Sequence, residues 1–403
     1  DILKGIRQAE GHTTQASGRQ CLLKKVGVNL DTVGKLRAEV VDATIATLSN
    51  KNTRAAVLAG QLLHEALRGP MDPHPESLPR WAADFAQTLN KIAEYIATHD
   101  IDPLALIEVG GAVWWHAHHG FPETRVIAQR ILDSLPQSLE FRTLFALADG
   151  HGNAIKLHAD YREHRKQWHD YLTELVADLL KAYPDGEVLR AVLARHISSN
   201  HPGSSSSAYI LYWRLITASP ALARATLEDA LVHPDSSTRQ FVATALAKVA
   251  QGDREECTLW MKRFGQSGAS DLRAAVGIAF SLFGDAELPL LPEEVGLLRE
   301  QLRSRDEWVA HSAVLGVRSI SKGDWRLTID LLREVDLSIS PKLTDEVFMS
   351  FTADDGDFLP VMTGEDVDAF LNALMGLPQL EGWWTETFLA AISEKYAVRL
   401  SGF

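Results

Sequence analysis

The sequence predicts an all-α fold, an α-solenoid in which antiparallel helix pairs stack side by side. The first observation is a tight turn at 233–236 (HPDS), followed by a helical pattern that carries Arg239 near its start. Similar phrasing returns at 270–283, where Arg273 stands about 34 positions after Arg239. The second observation is that no stretch of the chain alternates apolar and polar residues as a half-buried strand would.

The first 29 residues are predicted to be an irregular connector, because 11–18 contains almost no apolar residue. Asp31 is the predicted N-cap of the first helix. A proline-rich loop at 69–79 must follow the second helix, since a helix cannot continue through several prolines. Apolar spacing predicts the helices of this half at 31–48, 52–67, 80–98, 103–119, 122–135, 159–183 and 185–197.

Four serines, Ser204 to Ser207, follow a His-Pro-Gly sequence at 201–203 and predict a flexible connection over 201–207. It separates N-terminal helical repeats at 30–200 from C-terminal repeats at 208–403. An acidic loop at 354–364 precedes the last two helices, which we expect to cap the stack. The helices predicted in this half are 208–218, 220–232, 236–250, 253–264, 270–284, 293–304, 306–320, 324–337, 365–375 and 384–400.

The turn containing Pro and Asp, the early helical Arg and the Ala/Leu/Val face of the following helix resemble HEAT repeats, most clearly over 230–320. In that family the turn Asp and the helical Arg stack into a ladder along the solenoid. Asp235 and Arg239 match both halves of this pattern, while Arg125 and Arg273 match the Arg half. The resemblance therefore implies a repeat fold and a structural ladder, and it implies no activity.

Composition limits the class of protein. The 46% of hydrophobic residues exclude wholesale disorder, and the formal net charge of -13 opposes binding to nucleic acid or anionic membrane on average. Cys21 and Cys257 lie far apart and form no disulfide framework, which favours a cytoplasmic location. No apolar run is long enough to span a membrane. The chain begins with Asp1 and not Met, so we expect it to be part of a longer polypeptide.

Catalytic motifs are missing from the sequence. It contains no glycine-rich loop ending in GK[ST], no GxGxxG after a strand and no HExxH. The GQSG stretch at 265–268 lacks the spacing of a nucleophile elbow and is interpreted as a helix end followed by a turn. The sequence therefore predicts no catalytic residue, no cofactor and no enzymatic activity for this chain.

Three histidines, His116, His118 and His119, offer imidazoles close together in sequence. Positions i and i+2 of a helix face apart, so these side chains do not converge on one metal ion. We expect them to be solvated at the end of a helix, and we expect no metal site.

Acidic residues are concentrated near the C-terminal end of the chain. They lack the spacing and the terminal Glu of a calcium-binding EF-hand. Those at the start of helix 365–375 favour a capping role, and the whole stretch is predicted to be a solvated loop. Its members are Asp354, Asp355, Asp357, Glu365, Asp366 and Asp368.

A basic stripe is predicted on the long helix 159–183, beside Tyr161 and Trp168. Its members recur at helical spacing and so share one face. This pattern indicates a footprint for an acidic or phosphate-bearing partner. The alternative is the solvated face of an amphipathic helix, whose charge Glu163 and Asp170 dilute. The stripe consists of His158, Arg162, Arg165, Lys166 and His169.

Two pairs of adjacent tryptophans occur, Trp114-Trp115 and Trp383-Trp384. Neighbouring side chains on a helix point about 100° apart, so both rings are buried only where two elements flank the helix. Core packing is the expectation for both pairs. The alternative leaves one ring exposed as a binding anchor, and Trp114 and Trp115 are therefore candidate partner contacts.

These observations predict a non-catalytic protein-interaction scaffold or sensor region of a larger multidomain protein, with a protein partner and no membrane association. By analogy of fold, it would be the repeat region of a STAND-type signalling NTPase or a bacterial defence protein. Two alternatives remain. One is a HEAT-like DNA-alkylation-repair glycosylase, which needs a basic groove with aromatic residues and a carboxylate. The other is a solenoid that binds nucleic acid through the basic stripe.

Overall fold

The computed structural model describes residues 30–68, 78–148, 161–197, 204–283, 290–320, 324–352, 358–380 and 382–401. Within these ranges the regular structure consists of nineteen α-helices and one short 3₁₀ helix, with no strand. The predicted all-α class is confirmed. None of the described helices combines the length and the apolar character that a membrane span requires. The predicted connector at 1–29 and most of the proline-rich loop lie outside the described residues.

The helices are numbered in chain order. Those of the first half are α1 (Leu30–Thr47), α2 (Thr53–Ala66), α3 (Leu78–Thr98), α4 (Pro103–His119), α5 (Pro122–Ser134), α6 (Leu139–Ala148), α7 (Tyr161–Ala182), α8 (Gly186–Ile197) and α9 (Ser204–Ala218).

The second half begins with α10 (Pro220–Val232), and the 3₁₀ helix Arg239–Phe241 leads into α11 (Val242–Gly252). It continues with α12 (Arg254–Gly265), α13 (Ser270–Leu282), α14 (Pro292–Leu302), α15 (Glu307–Ile320), α16 (Trp325–Leu332), α17 (Pro341–Thr352), α18 (Gly364–Met375) and α19 (Trp383–Leu400).

The chain divides into two compact units. One comprises 1–182 with 195–211, and the other comprises 183–194 with 212–403, so the division falls within α8 and within α9. In the first unit α2 packs against α4 and α4 against α6, while α1 packs against α3 and α3 against α5. Helices two apart in sequence are therefore neighbours in space.

The second unit repeats this order more regularly. Helices α11, α13, α15, α17 and α19 form one row, in which each packs against the next. Helices α12, α14 and α16 pack against one another in the same way, and consecutive helices from α10 to α16 also pack together. Stacked helix pairs require this order of neighbours. The α-solenoid itself stays a prediction.

Small residues bring α13 and α15 together. A Cβ atom added at Gly277 would lie 2.5 Å from the carbonyl carbon of Ser312 and 2.6 Å from the amide nitrogen of Ala313. One added at Gly316 would lie 2.7 Å from the carbonyl oxygen of Gly277. Because no side chain fits there, the two backbones pack directly on each other. Contacts ascend together in both sequences, so the two helices run in the same direction.

The last three helices share an aromatic core. Phe348 of α17 lies 4.5 Å from Phe388 of α19 and 5.8 Å from Phe370 of α18, measured between ring centroids. Phe351 contacts the same two rings at 5.4 and 5.5 Å. All four side chains are 2% exposed or less, so this cluster fixes α18 and α19 onto α17.

Three local predictions differ from the structure. Ser204 to Ser207 form the first turn of α9 where a flexible connection was expected, since serine is readily accepted at a helix start. Helices α6 and α17 were not predicted. Each is short and begins after a serine whose hydroxyl accepts a backbone N–H three residues on: Ser138 from Phe141 at 3.2 Å, and Ser340 from Leu343 at 3.1 Å. These caps were the available sequence signal.

Candidate functional site

Helix α7 presents its basic residues to solvent. Arg162, Arg165, Lys166 and His169 are all exposed and occupy positions i, i+3, i+4 and i+7. The opposite face is buried, with Trp168 followed by three leucines at helical spacing. The geometry of the predicted stripe is therefore as expected, and its role as a binding footprint stays a prediction. Its fifth member, His158, lies outside the described residues.

Trp168 belongs to the core and not to this footprint. Its side chain is 6% exposed, stacks on Tyr171 with 5.4 Å between ring centroids, and meets the edge of Phe145. The guanidinium of Arg142 lies 5.5 Å from the centre of the Tyr171 ring and donates to Asp178 at 2.7 Å. Burial raises the pKa of Tyr171 to about 12. Of Tyr161, only the backbone is among the described parts.

At the C-terminal end of α4, one ring of the first tryptophan pair is exposed. Trp115 is 53% exposed, whereas Trp114 is half-buried and lies against His118 with 4.8 Å between ring centroids. The expected core packing is wrong for Trp115, because neighbouring helices cover only one side of α4. Trp115 contacts His119 at 6.0 Å, so this helix end carries an accessible aromatic surface.

His116 is buried, and the prediction that it is solvated is wrong. It is 1% exposed, and its Nε2 donates to the backbone carbonyl of Leu67 at 2.7 Å. Burial lowers its pKa, so the imidazole is neutral near neutral pH. The residue continues the buried row of Val109 and Val113 at helical spacing, which was the sequence signal. Among the described residues, no three His, Cys, Asp or Glu side chains are placed to hold a metal ion.

The second tryptophan pair behaves like the first. Trp383 is 72% exposed and Trp384 is partly buried, so core packing is wrong for Trp383. Asp345 of α17 fixes this end of α19, because its Oδ1 accepts the backbone N–H groups of Trp384 at 2.9 Å and Thr385 at 3.0 Å. Gly382 supplies the left-handed turn before the helix, with φ of 136°.

The acidic stretch is only partly a solvated loop. Asp354, Asp355 and Asp357 lie outside the described residues, and Glu365 is exposed. Asp366, however, is 1% exposed and accepts hydrogen bonds from Arg326, Arg333 and Thr363 at 2.7–2.9 Å. The Arg326 guanidinium, helped by Thr363, holds the pKa of Asp366 far below its usual range. The prediction of a solvated carboxylate is therefore wrong for Asp366, whereas its capping role at the start of α18 is present.

The predicted ladder Arg residues bind carboxylates of the next helix in the row. Arg239 binds Asp271 with its Nε 2.7 Å from Oδ2, and Arg273 binds Asp306 at 3.1 Å. Asp235 is exposed, so the expected pairing of Asp235 with Arg239 is wrong. A turn Asp four residues before the Arg is close in sequence, but the guanidinium extends toward the first turn of the following helix pair.

A second series of ion pairs, not predicted from the sequence, links the helices of the other row. Each joins an arginine to a carboxylate 31 to 40 positions later, at 2.7–2.9 Å. The two side chains of each pair lie on successive helix pairs, so the links tie neighbouring repeats together. The pairs are Arg190–Asp229, Arg224–Glu256, Arg254–Glu294, Arg303–Glu334 and Arg326–Asp366.

One polar cluster lies on the outer face of the α11–α19 row, where α15 meets α17. Glu346 of α17 has one carboxylate oxygen 3.6 Å from Nε2 of His311 and the other 3.3 Å from Nη1 of Arg318. The same Nη1 lies 3.1 Å from Sδ of Met349. These side chains are partly exposed, which places them at the surface and not in the core.

Trp308 completes this surface. It is 50% exposed, and its ring lies nearly parallel to that of His311, with 5.9 Å between centroids. On the same edge, Oε1 of the exposed Glu307 accepts a hydrogen bond from the Ser340 hydroxyl at 2.7 Å. We call the set of Glu307, Trp308, His311, Arg318, Glu346 and Met349 the α15–α17 surface. Sequence reasoning missed it, because its contacts join residues more than 30 positions apart.

The α15–α17 surface is suited to binding and shows no catalytic arrangement. Glu346 is already neutralised by Arg318, and no hydroxyl or thiol nucleophile contacts His311 in the described contacts. Exposed Trp, Met and Arg are the residue types enriched at the centres of protein interfaces. Comparison of the chain with protein-family models and with curated proteins finds no match.

Proposed function

We propose that this chain is a non-catalytic protein-interaction scaffold, built of HEAT-like helix pairs stacked as an α-solenoid within a larger cytoplasmic protein. The observation that carries the proposal is the half-exposed Trp308 on a regular row of helices, next to Arg318 and Met349 on the same face. A large aromatic side chain left in water serves no packing role in the monomer, and tryptophan is the residue type most enriched among interface hot spots.

The arginine contacts support the HEAT-like part of the proposal. Arg239 donates to the carbonyl of Pro234 at 2.8 Å, and Arg125 donates to the carbonyl of Gly120 at 2.8 Å. Both arginines thus bind the carbonyl five residues earlier, in the turn that precedes their own helix. The same local arrangement at positions more than 100 residues apart favours a repeated structural unit.

The scaffold proposal is tested by quantitative affinity capture from a lysate of the source organism. The immobilised chain is compared with a Trp308→Ala, Arg318→Ala double variant and with Trp383→Ala, a matched control at an exposed tryptophan on another helix. We expect a protein that the unmodified chain and the control both retain and that the double variant loses. Retention of no protein, or equal retention by all three chains, would overturn the proposal. Circular dichroism first verifies that each variant is folded.

A second candidate function, nucleic-acid binding, is favoured by the exposed basic face of α7. Arg162, Arg165 and Lys166 share that face with His169. Such binding would be strongly salt-dependent, because each phosphate contact releases counterions. Duplex DNA is titrated at several salt concentrations with the unmodified chain and with Arg165→Glu, Lys166→Glu. We expect the salt slope to fall by about one for each cation removed. Base release from alkylated duplex separates a glycosylase from a simple binder.

A further inference from the structure

We propose that the α15–α17 surface binds an extended segment of a protein partner that carries a lysine or arginine, seated against Trp308. The inference rests on the proposed scaffold function and names the class of partner.

Trp308 supplies the aromatic half of a cation site. Its ring is half-exposed, and the neighbouring His311 ring at 5.9 Å holds it in a defined orientation. A lysine ammonium or arginine guanidinium placed over an indole face is attracted by the ring quadrupole. Trp308 is therefore available to receive a cation from outside the chain.

Glu307 supplies a negative charge beside that ring. It is exposed and sits at the start of α15 immediately before Trp308, with Oε1 held by the Ser340 hydroxyl at 2.7 Å. A carboxylate has more acceptor sites than this one hydrogen bond uses. Positioned carboxylate and open indole together match a basic side chain and would repel an acidic one.

The surrounding charges favour the same class of partner. Arg318, the cation of this surface, is turned toward Glu346 and Met349 and lies about three helical turns from Glu307. Lys342 in the first turn of α17 is exposed and is the group that opposes a basic ligand. The chain as a whole carries a net charge of -13, which steers basic partners toward it.

The length of the surface indicates an extended segment. Glu307 and Arg318 are eleven residues apart on one helix, a rise of about 17 Å. About five residues of extended chain span that distance. Met349 lies at the far end and offers a polarizable apolar contact. The expected ligand thus has a basic residue and, about five positions away, an apolar one.

Fluorescence anisotropy with dye-labelled peptides tests the proposal. One 12-residue peptide carries Lys-Arg and, five positions on, Leu in a Gly/Ser background; a second has Glu-Glu in place of Lys-Arg. We expect the basic peptide to bind at least tenfold more tightly than the acidic one. Trp308→Ala should weaken its binding at least tenfold and Glu307→Gln by a smaller factor, whereas Trp383→Ala should leave it unchanged. Lys342→Ala should leave the affinity equal or raise it.

Equal affinity for the two peptides, or unchanged binding by Trp308→Ala, would overturn the proposal. Failure of every peptide to bind, together with Trp308-dependent capture of a partner in the lysate experiment, would refute the basic-segment inference and leave the scaffold function standing. Loss of both results would refute both. Thermal unfolding of each variant confirms that a loss of binding does not come from loss of the fold.

Discussion

Nη2 of Arg239 donates to Oδ1 of Asp271 at 2.8 Å, and Nε of the same guanidinium lies 2.7 Å from Oδ2. This pair joins the 3₁₀ helix before α11 to the first turn of α13, the next helix of the row. Nη1 donates to the carbonyl of Pro234 at 2.8 Å. One side chain therefore holds both the turn that precedes its own helix and the following helix pair.

This arrangement predicts unequal effects for its members. Arg239→Ala should lower the free energy of unfolding by about 1–2 kcal/mol, because it removes a charged hydrogen bond to a carbonyl together with the ion pair. Asp271→Ala should cost less than about 1 kcal/mol, since its side chain is 59% exposed and the pair is screened by solvent. Urea unfolding followed by circular dichroism measures both.

Asp235→Ala is the control for that series, because the side chain is exposed in the turn. Its effect should stay within about 0.5 kcal/mol. A loss for Asp235→Ala larger than that for Asp271→Ala would contradict the observed pairing and restore the partner expected from the sequence.

The ladder shows what sequence reasoning reaches and where it stops. Periodic apolar spacing predicted most helices, since burying one face requires that spacing, and it marked Arg239 and Arg273 as special. The partners Asp271 and Asp306 lie 32 and 33 positions further on. Which side chains meet over that distance depends on how the helix pairs pack, and local propensity carries no information about it.

The candidate surfaces follow the same division. The exposed stripe at Arg165 and Lys166 was predictable, because it depends only on the spacing within one helix. The burial of His116 depends on the carbonyl of Leu67, 49 positions away, and the α15–α17 surface depends on Glu346 meeting His311. Both required the positions of neighbouring helices. The exposure of Trp115 likewise followed from which side of α4 is covered.

Asp366 should be the most sensitive carboxylate of the second unit. Asp366→Asn leaves Arg326 and Arg333 without their buried counter-charge, and we expect a loss of about 3 kcal/mol at pH 7. Asp330→Asn is the matched control, because Asp330 binds the same Arg326 from a 42% exposed position. It should cost no more than about 0.5 kcal/mol. Chemical denaturation at pH 7 measures both, and equal losses would contradict this account.

The same carboxylate predicts a pH effect. Its pKa in the folded chain lies below that in the unfolded chain, so its stabilisation is present above about pH 4 and is lost as the pH falls further. Urea unfolding at pH 7 and pH 3 should therefore show a smaller difference for Asp366→Asn than for the unmodified chain. An unchanged difference would show that Asp366 is not the group that titrates.

Close backbone packing makes Gly277 intolerant of a side chain. Gly277→Ala places a methyl group within 2.6 Å of the α15 backbone, and overpacking of this kind costs about 1–3 kcal/mol. Gly296→Ala is the control, because no atom lies within 4 Å of the added Cβ at that helical position. It should raise stability by up to about 1 kcal/mol through helix propensity. Thermal unfolding should therefore shift the two variants in opposite directions, and stabilisation of both would show that α13 and α15 are further apart.

His116 should make stability depend on pH in a range where carboxylates do not titrate. Burial lowers its pKa in the folded chain, so below about pH 6.5 the unfolded chain takes up a proton that the folded chain refuses. Stability is thus full above pH 6.5 and falls as the pH drops toward the folded-state pKa. Replacing His116 with Gln, which retains a donor for the carbonyl of Leu67, should flatten the decline between pH 7.5 and 5.5. His119→Gln, at an exposed position of the same helix, should leave that decline unchanged. A decline equally steep in both variants would mean that His116 is accessible to protons in the folded chain.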